Sequence, residues 1–200
     1  MNFPKEKRRF FFLLYTHCNR KDKIIMHKHL RKLVYSAMFL AIAFVLPFLT
    51  ANNQQLGNML SLMHLPVLFC GFICGWPWGL LVGLIAPLLR SFTLGAPPLM
   101  IAIPMAFELA VYGCVTGLLY KLLPKKFGFY YVDLVSAMVL GRLVWGAAKY
   151  ILGGIQNTEF GFAAFWAGAV VNALPAIAIQ IVLIPPLILV FRKNRLMLNE

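Results

Sequence analysis

Six long apolar runs constrain this chain more than any other feature of its sequence. A helix needs about 20 apolar residues to cross the hydrocarbon core of a bilayer. Of all residues, 61% are hydrophobic and only 12% are charged. A transmembrane barrel would show short alternating segments, whereas these runs are apolar on every face. The sequence therefore predicts an all-α fold, an integral membrane bundle of six transmembrane helices.

Breaks rich in glycine, proline and polar residues separate the six predicted helices. In chain order the helices are expected at about residues 33–50, 59–74, 80–89, 99–123, 132–152 and 162–190. The third run is short for a span, so we expect it to include Trp76 and Phe92 at its ends. This division gives a basic tail (1–32), a transmembrane substrate-binding domain (33–191) and a short tail (192–200).

The positions of lysine and arginine predict the orientation, because basic residues are retained on the cytoplasmic side. Of the 19 basic residues, ten precede the first predicted helix, three lie within 121–126 and three within 192–195. With six spans, these three groups of basic residues all lie on one side of the membrane. Both termini are therefore predicted to be cytoplasmic. The loops 51–58, 91–98 and 153–161 then face outward.

The net charge of +13 comes mostly from these basic residues, which indicate the topology. It is consistent with contact to anionic membrane lipids and does not require nucleic acid as a partner. The first 32 residues contain no apolar run long enough for a signal peptide, so they are interpreted as a cytosolic tail. The sequence leaves open whether translation starts at Met1 or Met26.

Two charged residues lie near the middle of predicted spans, where an unpaired charge is costly. Glu108 lies nine residues after Leu99, and Arg142 lies ten residues after Val132. At the rise of an α-helix these positions are about 13 Å and about 15 Å from the helix ends. Neighbouring helices of opposite direction would bring the two charges together, so we expect an ion pair. Asn172 lies at a similar depth in the sixth predicted helix.

More basic and aromatic side chains lie toward the predicted outer side. Trp145 and Lys149 follow Arg142 by three and seven residues, so the three share one helix face. Arg90 ends the third predicted helix at the outer surface. The pattern predicts a positively charged, partly aromatic cavity that opens outward. The alternative is a purely structural ion pair, with Lys149 and Arg90 extending to lipid head groups.

Other chemistry has little support in the sequence. Cys70 and Cys74 lie four residues apart, but thiols are common in apolar helices and no third ligand lies nearby, so we predict no metal and no cofactor. No hydrolytic or nucleotide-binding motif is present in the sequence. Two alternatives stay open: a lipid-modifying intramembrane enzyme with Glu108 or His64 as acid or base, and a structural membrane subunit without a ligand.

The first predicted helix carries Ala37 and Ala41 in AMFLA, a small-xxx-small pattern that lets another helix approach closely in lipid. Together with six helices and two inside termini, this motif resembles the substrate-binding S component of energy-coupling factor (ECF) vitamin transporters. The stretches MHLPVLFCGFICGWPWGLLVGLIAPLLRSFTLGAPP (63–98) and MAFELAVYGCVTGLLY (105–120) are similar to the corresponding regions of that family. The resemblance covers about residues 28–193.

The resemblance implies a high-affinity binding subunit of a bacterial plasma membrane transporter that is not itself an enzyme. It implies docking on a transmembrane T subunit driven by two cytoplasmic ATPase subunits, with Ala37 and Ala41 facing the T subunit. Residues 51–58 would act as an outer gate, and the ligand would lie between them and the outer halves of the last three helices. The substrate-binding residues expected on this basis are Asn52, Gln54, Gln55, Arg90, Glu108, Arg142, Trp145, Lys149 and Asn172.

The identity of the substrate is left open by the sequence. A cationic site favours a small molecule with a carboxylate or phosphate, so pantothenate or another acidic vitamin leads. Modified-base precursors and pyridoxine-type vitamins remain open, because the same scaffold serves different ligands.

Overall fold

The computed structural model of the chain describes residues 26–50, 62–155, 161–169, 173–194 and 196–199, and within these ranges it contains helices and short connections but no strand. Helix α1 covers residues 26–45 and continues as a 3₁₀-helix over Leu46–Thr50. The other helices are α2 (His64–Cys74), α3 (Trp76–Leu94), α4 (Leu99–Leu122), α5 (Phe127–Ile155), α6 (Phe162–Ala169) and α7 (Leu174–Lys193).

Five helices in the described residues are long and apolar enough to cross a membrane. They are Met26–Phe48, Trp76–Leu94, Leu99–Leu122, Phe127–Gly154 and Leu174–Lys193, whereas α2 is apolar but has only 11 residues. The all-helical, multi-span character is thus confirmed, and the count of six spans and the side of the termini stay predictions. The sixth predicted helix corresponds to α6 and α7, with residues 170–172 outside the described ranges.

The limits of α3 agree with the sequence-based prediction, whereas the start of α1 differs from it. Helix α3 has 19 residues and includes both Trp76 and Phe92, as predicted. Helix α1 is already helical at Met26, seven residues before the predicted start at Leu33. The intervening residues include lysine, arginine and leucine, which are strong helix formers whether or not they lie in the membrane.

Gly75 separates α2 from α3 within the predicted break GWPWG. Its φ of 98° lies in a region that residues with a Cβ rarely adopt, and its N–H donates to the carbonyl of Gly71 at 3.0 Å. Pro77 then falls in the first turn of α3, where a missing N–H leaves no helical hydrogen bond unmade. The break allows α3 to begin at once and pack against α2.

Glycines bring α3 and α4 into backbone contact. A Cβ added at Gly79 would collide with the backbone of Gly113, and one added at Gly83 would collide with the backbone of Leu109. Lipid chains are as apolar as the helix surfaces, so helices in a bilayer associate through such close contacts. Because Leu109 follows Glu108 directly, this contact also fixes the position of the buried carboxylate relative to α3.

Helix α2 lies at the centre of the bundle. All eleven of its residues are buried, which explains why the sequence shows no polar face on this segment. Large apolar side chains on α1, α5 and α7 are instead exposed, including Val34, Val139 and Val182. This distribution is typical of outer helices that face lipid.

Candidate functional site

Three polar side chains converge on one oxygen of the buried Glu108 carboxylate. The Tyr112 hydroxyl donates to Oε1 at 2.8 Å, an Arg142 guanidinium nitrogen lies 3.2 Å from the same atom, and His64 Nε2 lies 3.5 Å away. Glu108 is only 2% exposed. We refer to Glu108, Tyr112, Arg142 and His64 as the Glu108 network.

The network joins three helices. Tyr112 follows Glu108 by four residues on α4, so the two share a helix face, and the Tyr112 ring lies 5.4 Å from the His64 ring. His64 is the first residue of α2, and Arg142 lies in the middle of α5. A carboxylate in this setting would be very unfavourable without donors, so the network holds α2, α4 and α5 in one arrangement.

The predicted ion pair between Glu108 and Arg142 is confirmed by this geometry. The pair does not use all of the Arg142 guanidinium. Its Nε is buried and has no hydrogen-bond partner among the residues that the structure describes. An arginine carries five N–H donors in a fixed fork, so part of this fork is directed away from Glu108.

The other predicted residues of α5 lie on the same face as Arg142. Trp145 and Lys149 are both half-buried. The Trp145 ring lies 6.4 Å from the ring of Phe165 on α6, and Gly168 of the same helix leaves room for the indole. The rings of Trp145 and Phe165 therefore lie one helical turn beyond Arg142, and we call them the aromatic wall. Lys149 lies one further turn along α5.

Arg90 is buried near the end of α3 and makes its described contacts with α1. Its guanidinium donates to the carbonyl of Phe44 at 2.9 Å and lies over the Phe48 ring at 4.9 Å. Both partners lie at the end of α1, just before residues 51–61, which are outside the described ranges. These contacts tie α1 to α3 and do not join Arg90 to the Glu108 network, so a ligand-binding role for Arg90 stays a prediction.

Several predicted site residues cannot be placed in this geometry. Asn52, Gln54, Gln55 and Asn172 lie outside the described residues. Ala37 and Ala41 are exposed on α1, as a surface for another helix requires. Cys70 and Cys74 are fully buried, and no group of three or more histidine, cysteine or acidic side chains in the described ranges could hold a metal ion.

Sequence reasoning missed two polar residues and undervalued a third. Tyr112 stands one turn after Glu108, a spacing that was visible in the sequence. The sequence offers His64 only as an acid or base of the alternative enzyme, yet it lies beside the carboxylate. Asp133 was not considered, although it is an acid at the start of an apolar run and is only 1% exposed.

The sequence matches the family model for the substrate-specific component of the ECF transporter over residues 31–188. The chain belongs to this family. Substrate-specific components bind the transported substrate in the membrane and work with a T subunit and ATPase subunits. They are transporter subunits and not enzymes, which leaves the lipid-modifying enzyme considered above without support. Searches of curated proteins and of solved structures find no match.

We predict that replacing Glu108 by Gln lowers the stability of the bundle by about 3 kcal/mol, because the Arg142 charge stays buried without its partner. The double variant Glu108→Gln with Arg142→Met should recover part of this loss, since no lone charge remains. Thermal unfolding in detergent measures both. Tyr112→Phe, which removes one hydrogen bond and no charge, serves as the control and should cost about 1 kcal/mol. Equal melting of the single and double variants would contradict a buried ion pair.

Proposed function

We propose that this ECF substrate-specific component binds a small anionic micronutrient, with an acidic vitamin such as pantothenate as the leading class. The proposed site is the face of α5 that carries Arg142, Trp145 and Lys149, together with the outer halves of α4 and α6. The observation that carries the proposal is the buried Nε donor of Arg142, which has no partner in the described part of the chain. A buried donor without an acceptor is unfavourable, and a ligand oxygen would satisfy it.

The charges of the site favour an acid. Glu108 neutralises Arg142, so this pair alone gives the site no surplus charge. Lys149 adds one positive charge on the same face, and no acidic side chain among the described residues forms an ion pair with it. A carboxylate or phosphate would balance that charge, whereas a cationic ligand would leave two positive charges in an apolar setting.

The aromatic wall supports a ligand that also has an apolar part. Trp145 and Phe165 present two rings between the levels of Arg142 and Lys149. Binding sites for small molecules are mostly apolar, with a few polar groups that fix orientation. A short organic acid, with its charged group near Lys149 and its carbon skeleton along the rings, matches both features.

We predict that Lys149→Gln weakens binding of the preferred acid about tenfold or more, because a charge-assisted hydrogen bond is worth about 1.5–3 kcal/mol. Isothermal calorimetry of the purified protein against a panel of acidic, neutral and cationic vitamins measures this effect. Lys121→Gln is the matched control, because Lys121 is exposed at the other end of α4. No heat with any compound would favour the ligand-free structural subunit, and equal affinities for Lys149→Gln and wild type would remove Lys149 from the site.

We further propose that α1 is the surface on which the T subunit docks. Ala37 and Ala41 lie four residues apart and are both exposed, so a partner helix could approach the α1 backbone closely. None of the described Glu108 network contacts involves α1. Docking and ligand binding are therefore expected to use different helices.

Ala41→Trp should prevent co-purification of the T subunit and reduce cellular uptake, because an indole at the contact holds the two helices apart. Ligand affinity should stay within a few-fold of wild type. Val182→Trp is the control, since it adds the same ring to an exposed position on α7. If Ala41→Trp lost ligand binding but still co-purified with the T subunit, the proposal that α1 docks the T subunit and other helices bind the ligand would be wrong.

A further inference from the structure

A second buried carboxyl group, that of Asp133, lies near the end of the bundle opposite to the proposed ligand site. It is six residues after Phe127, the first residue of α5, or about 9 Å along the helix axis. Asp133 is 1% exposed, and neither of its oxygens has a hydrogen-bond partner among the residues that the structure describes. Nothing in the proposed ligand site uses this residue.

The structure leaves little access for water, because both oxygens of the carboxyl group are buried. Tyr120, Lys125 and Tyr130 line the gap beside Asp133, and this gap is too small to hold a water molecule. An ionised carboxylate with neither donors nor water is highly unfavourable, whereas the protonated acid is neutral. In this packing the group is therefore expected to carry a proton.

Two described cations at this end of the bundle are held by other partners. Arg192 on α7 donates to the Tyr130 hydroxyl at 3.0 Å and to the Lys125 carbonyl at 2.9 Å. The Lys125 ammonium lies 5.7 Å from the centre of the Tyr120 ring. Tyr130 precedes Asp133 by three residues, so the residue that holds the Arg192 guanidinium lies one helical turn from the carboxyl group.

We propose that Asp133 is a proton-binding site whose occupancy depends on the packing of the ends of α4, α5 and α7. While these ends are packed as described, the carboxyl keeps its proton. When they separate, its O–H bond breaks, the proton passes to water, and the Arg192 guanidinium moves from the Tyr130 hydroxyl to the carboxylate and balances its charge. The proposal goes beyond the ligand-binding function and does not depend on it.

Infrared spectroscopy of the full chain in detergent tests the protonation state directly. The chain has only six acidic residues, so the carbonyl band of a protonated acid can be assigned by substitution. At neutral pH we expect wild type to show this band and Asp133→Asn to lack it. Glu200→Gln is the matched control, because it removes another of the six acidic residues and should leave the band in place. A wild-type spectrum without the band, or a band that persists in Asp133→Asn, would overturn the proposal.

The pH dependence of thermal unfolding tests the same site through stability. The folded state keeps a proton that the unfolded chain releases, so the melting temperature of wild type should fall as the pH rises from mildly acidic to about 9, below the range where tyrosine ionises. Asp133→Asn replaces the carboxyl by a neutral group of the same shape, so its melting temperature should not show this fall with pH. Subtracting the curve of melting temperature against pH for Asp133→Asn from that of wild type cancels the contribution of the histidines, which both proteins share. Identical curves would contradict a proton on Asp133.

Arg192→Gln tests the partner of the ionised state. Without the guanidinium, the carboxylate formed at higher pH has no cation to move toward, so the melting temperature should fall more steeply than in wild type. Lys193→Gln, which removes the next charge along α7, should follow the wild-type curve. An equal slope for Arg192→Gln and wild type would rule out Arg192 as the partner.

Discussion

An ionised carboxylate inside a membrane protein must be surrounded by donors, and the packing of this bundle is arranged around that requirement at Glu108. Three polar side chains from three helices meet at one oxygen of its side chain. His64 comes from α2 at the centre of the bundle, and Arg142 comes from α5 at its periphery. Because Arg142 and Tyr112 both have to reach the same atom, the helices cannot slide or rotate far without leaving a charge unpaired. The glycine contacts between α3 and α4 hold the helix that carries Glu108 in the matching position.

This arrangement also determines what the site can bind. In the proposed site, the ion pair is already neutral, so a ligand would meet the remaining donors of Arg142 and the charge of Lys149. The Glu108 network would orient the Arg142 guanidinium there, and the rings of Trp145 and Phe165, which lie 6.4 Å apart, would line one side. Substrate-specific components have no ATPase of their own, so the free energy for transport comes from partner subunits. An internal network that does not involve α1, together with the docking face that we propose on α1, is consistent with such a division of roles.

How much could be predicted from the sequence differs from residue to residue for physical reasons. The pair of Glu108 and Arg142 followed from depth alone, because two opposite charges at mid-membrane have few other ways to avoid a large cost. Neutral partners give no such signal: whether Tyr112 or His64 reaches the carboxylate depends on helix rotation and packing. Arg90 illustrates the same limit, since its contact with the Phe44 carbonyl depends on how α1 lies against α3. Asp133 stands near a helix end, where an acid is ordinarily solvated, and its burial depends on tertiary packing with residues that include Tyr120.

The central claim is that the chain binds a small acid, and the most direct test is the identity of what it carries when purified. Mild purification from cells grown in rich medium, followed by denaturation and mass spectrometry of the released small molecules, measures this without a choice of candidate. The account predicts one enriched compound with a carboxylate or phosphate group, in an amount comparable to the protein. Enrichment of a cationic compound, or of a lipid alone, would contradict it.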